Sequence, residues 1–199
     1  MRSNICKIEN GTKDLNAIFK ESERVAEYNG LTHKQTLQLR LLCEEIDGML
    51  PNIINDFEGS FWIEYENGEC RINVSIKIPE FDTVKKDELI GISNNKKNAA
   101  EVGIVGKIRG VIENFFLNEE NIRAFKTASE TFYLSTGYSE GVDYAYLWTL
   151  EQYRDMVKKE EKAEDWDELE KSVIASVADD VIVGIKGKQA DIIIVKRFA

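Results

Sequence analysis

The stretch Phe61–Ile78 constrains the fold more than any other part of this chain. Phe61-Trp62-Ile63-Glu64-Tyr65 and Arg71-Ile72-Asn73-Val74-Ser75-Ile76-Lys77-Ile78 alternate apolar and polar side chains, the period of a half-buried strand. Asn67-Gly68 lies between them, and a two-residue hairpin turn needs positive φ at both positions, which Asn and Gly tolerate best. The pair therefore reads as an antiparallel hairpin. Ile72, Val74, Ile76 and Ile78 face a core, while Arg71, Asn73, Ser75 and Lys77 share a face that the alternation assigns to water. A sheet with one buried face needs a covering layer, which the remaining segments should supply as helices.

Asp14–Tyr28 carries Leu15, Ile18, Phe19 and Val25 near helical spacing and stops at Asn29-Gly30, after a short strand predicted at Ile5–Ile8. From Thr32, a plausible N-cap, to Ile54, residues Gln35, Leu39, Leu42, Ile46, Met49 and Ile53 fall on one helical face. Glu45 lies about 60° from the centre of that face, at its border, whereas Glu44 and Asp47 point away. Pro51 removes one internal hydrogen bond and should kink or end this helix. Between Glu80 and Ala100 the pattern lapses into a long loop, a length that is uncommon in compact domains and often functional. Periodicity resumes over Val102–Phe116 through Val105, Ile108, Ile112, Phe115 and Phe116. Two further helices are predicted, Val142–Lys159 (Tyr146, Leu150, Tyr153, Val157) and Glu164–Val177 (Trp166, Leu169, Val173, Val177), joined by a solvated charged run. A closing hairpin pairs Val181–Lys186 with Asp191–Arg197 about Gly187. No linker and no repeat of solenoid length divides the 199 residues. The expectation is one α/β domain over residues 1–199: a two-layer sandwich whose mixed, mostly antiparallel sheet carries helices on one face.

Composition removes several functions. With 26 Lys+Arg against 36 Asp+Glu the net charge is −10, which argues against a broad nucleic-acid surface. No apolar run approaches the roughly 18 residues of a membrane span, and MRSNICKIENG lacks a signal-peptide core, so a cytoplasmic protein without membrane partners is expected. Cys6, Cys43 and Cys70 show no CxxC spacing and read as small buried hydrophobes; His33, the only histidine, excludes a His-cluster metal site. There is no GxxxxGK[ST], GxSxG or HExxH. Trp62, Trp148 and Trp166 read as core or interface anchors.

Two N-terminal helices, a hairpin, a long loop, a helix opened by glycines and a terminal hairpin ending IIIVKRF together resemble the Bergerat-fold ATPases, above all the small bacterial anti-sigma-factor serine kinases. LQLRLLCEEIDGMLPNI is similar to that family's first nucleotide motif, with Glu45 at the acid position. Lys85–Ala100 and AEVGIVGKIRGVIENF resemble its lid and following glycine-led helix, and VIVGIKGKQADIIIVKRF its closing hairpin. About residues 117–171 would be a helical insertion. The resemblance implies Glu45 as a general base on water at a γ-phosphate, and Asp82 as the candidate for the adenine side. It implies Gly103 and Gly106 as the phosphate turn, with Lys107 supplying charge; the two glycines equally suit close helix–sheet packing.

The chain also departs from the family pattern. Position 49, where the Mg²⁺-binding Asn belongs, is Met, and counting from Glu44 gives Gly48. PEFDTVKKDE lacks the paired glycines of the adenine box, and Gly103-x-x-Gly106 has altered spacing. Two functions stay open. One is a regulatory protein that keeps the fold but acts by contact with a protein partner or a second copy, without metal or cofactor. The other is an active serine kinase or ATPase using ATP and Mg²⁺. Three motifs degraded together favour the first.

Overall fold

The computed structural model describes residues 1–9, 15–54, 57–77, 103–117, 146–159, 172–186 and 188–198. In chain order these form β1 (Cys6–Glu9), α1 (Leu15–Tyr28), α2 (His33–Ile53), β2 (Glu58–Glu66), β3 (Glu69–Lys77), α3 (Gly103–Leu117), β4 (Tyr146–Thr149), α4 (Leu150–Lys159), α5 (Val173–Val177), β5 (Asp180–Lys186) and β6 (Gln189–Arg197). The predicted loop at residues 80–100, with Asp82, lies outside the described residues, as do Gly187, Trp166, Leu169 and most of the expected insertion.

The strands make one open sheet in the order β1-β2-β3-β6-β5-β4. Every described pairing is antiparallel, which corrects the expectation of a mixed sheet. The turn at Asn67-Gly68 has φ of 50° and 84°, so both residues occupy the left-handed region that the hairpin requires. Gly59 answers a second demand: a Cβ there would overlap the Ser75 carbonyl oxygen, so only glycine lets β2 approach β3 at this point. Among the described residues the element order β1-α1-α2-β2-β3 recurs as β4-α4-α5-β5-β6, with α3 between. Glu66 opposite Glu69 and Lys186 opposite Gln189 close the two hairpins, and β3 meets β6 about the pair Asn73–Ile193. The two halves of the sheet are thus related by an approximate two-fold axis normal to it.

One hydrophobic cluster joins sheet and helices. Phe61, Ile63, Ile72, Val74 and Ile76 of the first hairpin and Val181, Val183, Ile185, Ile192 and Ile194 of the second meet Leu39, Leu42 and Ile46 of α2 and Ile104, Ile108 and Ile112 of α3. Each such side chain, fully buried, contributes roughly 1.5–3 kcal/mol of transfer free energy. The α2 helix begins with a capping box: Thr32 Oγ1 accepts the Gln35 N–H, and Gln35 Oε1 accepts the Thr32 N–H at 2.9 Å. It runs through Pro51 to Ile53, where the Ile54 N–H donates to the Leu50 carbonyl; Pro51 offers the helix no N–H, and the helix ends two residues beyond it. No helix among the described residues is long and apolar enough to cross a membrane.

Three local expectations are corrected. Tyr146–Thr149, read as the start of a helix, is a strand paired with β5; Tyr146 and Trp148 alternate with Leu147 and Thr149, and β5 supplies a partner that periodicity could not anticipate. The helix expected over Glu164–Val177 starts only at Val173 among the described residues, because Ser172 has an extended backbone (φ −81°, ψ 124°) and its side chain caps α5. Asn73, assigned to water, is 6% exposed and its Nδ2 donates to the Arg71 carbonyl at 3.1 Å.

Candidate functional site

Glu45 stands on α2 at the border of the core, half-buried, one turn before Met49. Its carboxylate makes no hydrogen bond or ion pair among the described residues. Ile46 is fully buried beside it and Met49 is 3% exposed within the hydrophobic cluster, whereas Glu44 and Gly48 are exposed. Met49 thus packs a thioether into the hydrophobic cluster one turn beyond Glu45, and a thioether is a poor ligand for a hard cation such as Mg²⁺.

The α3 helix touches both α2 and β5. Gly103 is its first residue, Gly106 is buried and Lys107 is half-buried. Lys107 Nζ lies 5.1 Å above the ring of Tyr153 on α4, a cation–π contact. The structure thus brings Glu45, Gly103, Gly106 and Lys107 onto two helices in contact, and directs Lys107 to an aromatic ring.

That ring belongs to a cluster that periodicity concealed. Phe115 of α3 meets Tyr146 of β4 with ring centroids 6.2 Å apart, and Trp148 of β4 meets Tyr153 at 6.0 Å. Burial raises the Tyr146 hydroxyl above its ordinary pKa. The Tyr153 hydroxyl is the one buried side-chain polar atom without a hydrogen-bond partner among the described residues. Tyr146 and Tyr153 were both visible as apolar positions, but only the β4 strand geometry places Trp148 beside Tyr153.

The N-terminus of α4 is already occupied. Asp180, 4% exposed, accepts the Glu151 N–H at 3.0 Å and the Val181 N–H at 2.8 Å on the same oxygen, while Thr149 Oγ1 accepts the Gln152 N–H at 3.2 Å. Burial pushes the Asp180 carboxyl above its usual range, and the two N–H groups offset part of that rise. Arg154 completes the anchor by donating to the Asp179 and Ala175 carbonyls. This helix start offers its dipole to Asp180, and its sequence signal is only the Thr149 cap.

A cavity of about 280 Å³ lies at the turn end of the first hairpin, lined by Glu64, Glu66, Asn67, Glu69 and Arg71. Glu69 accepts from Arg71 Nε at 2.7 Å and Arg197 Nε at 3.0 Å; partial burial pushes its carboxyl up, and these two guanidinium contacts outweigh it and leave the pKa lowered. Arg2 pairs with Glu64 at 3.4 Å and stacks 4.9 Å over Trp62. On the cavity wall Glu64 and Glu69 are ion-paired, and Glu66 has no ion pair among the described residues. Among the described residues no three His, Cys, Asp or Glu side chains lie together as a metal site. None of the cysteines is in a disulfide; burial raises Cys43 well above the ordinary thiol range and pushes Cys70 up to about 12, so both are unreactive thiols.

Comparison with protein-family models, with characterised proteins and with solved structures finds no match to this chain.

Proposed function

We propose that this protein is a diverged Bergerat-type, ATPase-like domain that works as a regulatory protein through protein contact, with its nucleotide chemistry lost. Met49 carries this reading. It follows Glu45 by one helical turn and is packed into the core, so restoring a Mg²⁺ ligand there would require rebuilding the interior as well as changing one residue. Lys107 adds support, since its ammonium is engaged over Tyr153. Two helices before a hairpin, then a helix, and a closing hairpin whose β6 lies beside β3, support the fold relationship, with β4, α4 and α5 added between that helix and the closing hairpin. Phosphoryl transfer is mostly positioning and metal neutralisation of charge, so a site without its metal ligand loses rate and affinity together.

One observation favours the competing reading of an ATP-dependent serine kinase or ATPase, namely the unpartnered carboxylate of Glu45. Isothermal titration with Mg·ATP and a phosphate-release assay, on wild type and Glu45→Ala, separate the two. The contact reading expects no micromolar binding and no turnover in either protein. Micromolar binding with turnover that vanishes in Glu45→Ala would replace it with the enzyme.

A further inference from the structure

The outward face of α2 has the features of a self-docking surface. Lys34, Leu37, Leu41, Glu44, Gly48 and Pro51 recur at alternating spacings of three and four residues, and all six are exposed. Leu37 is 52% and Leu41 36% exposed, although the opposite face of the same helix buries Leu39, Leu42, Ile46, Leu50 and Ile53. Apolar residues at alternating three- and four-residue spacing form the seam of a helix pair, and Leu37 and Leu41 supply the apolar centre of this one. A Cβ on Gly48 would meet no atom within 4 Å, so the seam has an open notch one turn beyond Glu44.

Charge selects the occupant. Lys34 and Arg40 lie in the first half of α2, and Glu44, Glu45 and Asp47 in the second. A helix with this polarity complements a copy of itself when the two run antiparallel and repels it when they run parallel. Neither Glu44 nor Glu45 has a hydrogen bond or ion pair among the described residues. Arg40 is held by Glu23 at 3.0 Å and stacks 4.7 Å over Phe19, which fixes its guanidinium at the margin of the seam with donors to spare.

We infer that a second copy of this chain docks on this face, α2 against α2, antiparallel about a two-fold axis between residues 41 and 44. Leu37 of each copy then fills the notch over Gly48 of the other, Leu41 packs on the aliphatic stem of Glu44, and Arg40 flanks Asp47. A helix pair of this length buries less than the roughly 800 Å² per partner of a standard interface, the size of weak, transient contacts. The inference extends the contact-based reading by naming a surface and a partner. Nucleotide titration tests that reading and self-association tests this one, so each can fail alone.

Sedimentation velocity on the full chain, from about 1 to about 100 μM, should show a reversible monomer–dimer equilibrium. Leu37→Arg with Leu41→Arg changes only exposed positions, so the circular dichroism should stay native while the dissociation constant rises at least about tenfold. Orientation is read by thiols: Leu37→Cys with Gly48→Cys should give a covalent dimer on mild oxidation. Leu37→Cys alone should not, because the two copies of residue 37 would lie about 16 Å apart along the axis. Cys43 and Cys70 are fully buried but Cys6 is half-buried, so Cys6→Ser is built into every variant and, alone, serves as the control. A monomer at every concentration, a dimer indifferent to the double arginine variant, or equal cross-linking of Leu37→Cys alone would each overturn the inference.

Discussion

The two hairpins of the sheet share a core and part company on the face away from it. β2–β3 turns Ser60, Trp62, Glu64 and Glu66, with Glu69, Arg71, Asn73, Ser75 and Lys77, to that far side, and only Asn73 among them is buried. β5–β6 turns Lys186, Gln189, Asp191 and Arg197 to the same side near the strand ends, but Ile182, Ile193 and Val195 between them, with Ile182 and Val195 buried, beside the capping carboxylate of Asp180. A strand that meets water on one face must alternate, whereas a strand covered on both can be apolar throughout. The first hairpin accordingly reads at sight as a strand, while VIVGI and DIIIV read as apolar runs whose assignment leaned on the turn between them.

The strongest way to break the comparison is at Gly59. Gly59→Ala forces a Cβ against the Ser75 carbonyl and should cost about 3 kcal/mol in urea denaturation, as severe overpacking does. A loss below about 1 kcal/mol would mean that β2 and β3 do not pair with Gly59 opposite Ile76. Arg71 and Val195 sharpen the contrast, because they are directly opposite on β3 and β6 and share the far face. Val195→Ala should cost about 2 kcal/mol through lost burial and a cavity. Arg71→Ala, which removes an exposed ion pair, should cost under about 1 kcal/mol. Equal losses in the same denaturation series would show the two halves of this face to be alike.

The smallest effect is a difference of sign with pH. The Glu69 carboxyl is lowered below its ordinary 4.5, so its contribution is present above that pH and is lost as pH falls through the folded value. Stability of wild type relative to Glu69→Gln should therefore decline on acidification below about 4.5. Asp180 is raised above its ordinary 3.8, so its linkage runs the other way: the folded state gains on acidification and loses as pH rises through the folded value. Asp180→Asn keeps one oxygen for both N–H donors, and its stability relative to wild type should be more favourable at pH 7 than below about 4. Two pH-dependent denaturation series with slopes of the same sign would contradict this assignment.

Much of the candidate site was legible. The border position of Glu45 followed from the wheel, and its helix has the predicted span and cap. The glycine-led helix was placed to within a residue at Gly103, although its buried stripe centres on Ile104, Ile108 and Ile112, with Val105 and Phe115 half-buried. The aromatic partners of Lys107 were not legible. Tyr146, Leu150, Tyr153 and Val157 fit a helical period well enough to hide a strand in Tyr146–Thr149, and a four-residue strand shows too few alternations to compete. Asp180 as the cap of α4 was hidden as well, because it lies far along the chain from Glu151 and approaches only through the β4–β5 pairing.

The sequence by itself determined what depends on neighbours along the chain. The Asn67-Gly68 turn, the alternation of β3, the Thr32–Gln35 capping box and the one-sided stripe of α2 are all set by local backbone preference and side-chain period. Tertiary structure alone decided which strand ends beside which. The antiparallel meeting of β3 and β6 about Asn73–Ile193, the short edge strand β4 and the two-fold relation of the halves depend on pairings between residues more than a hundred positions apart in the central case. Strand partners are chosen by the burial of whole faces against a common core, and that free energy exists only once the layers have come together.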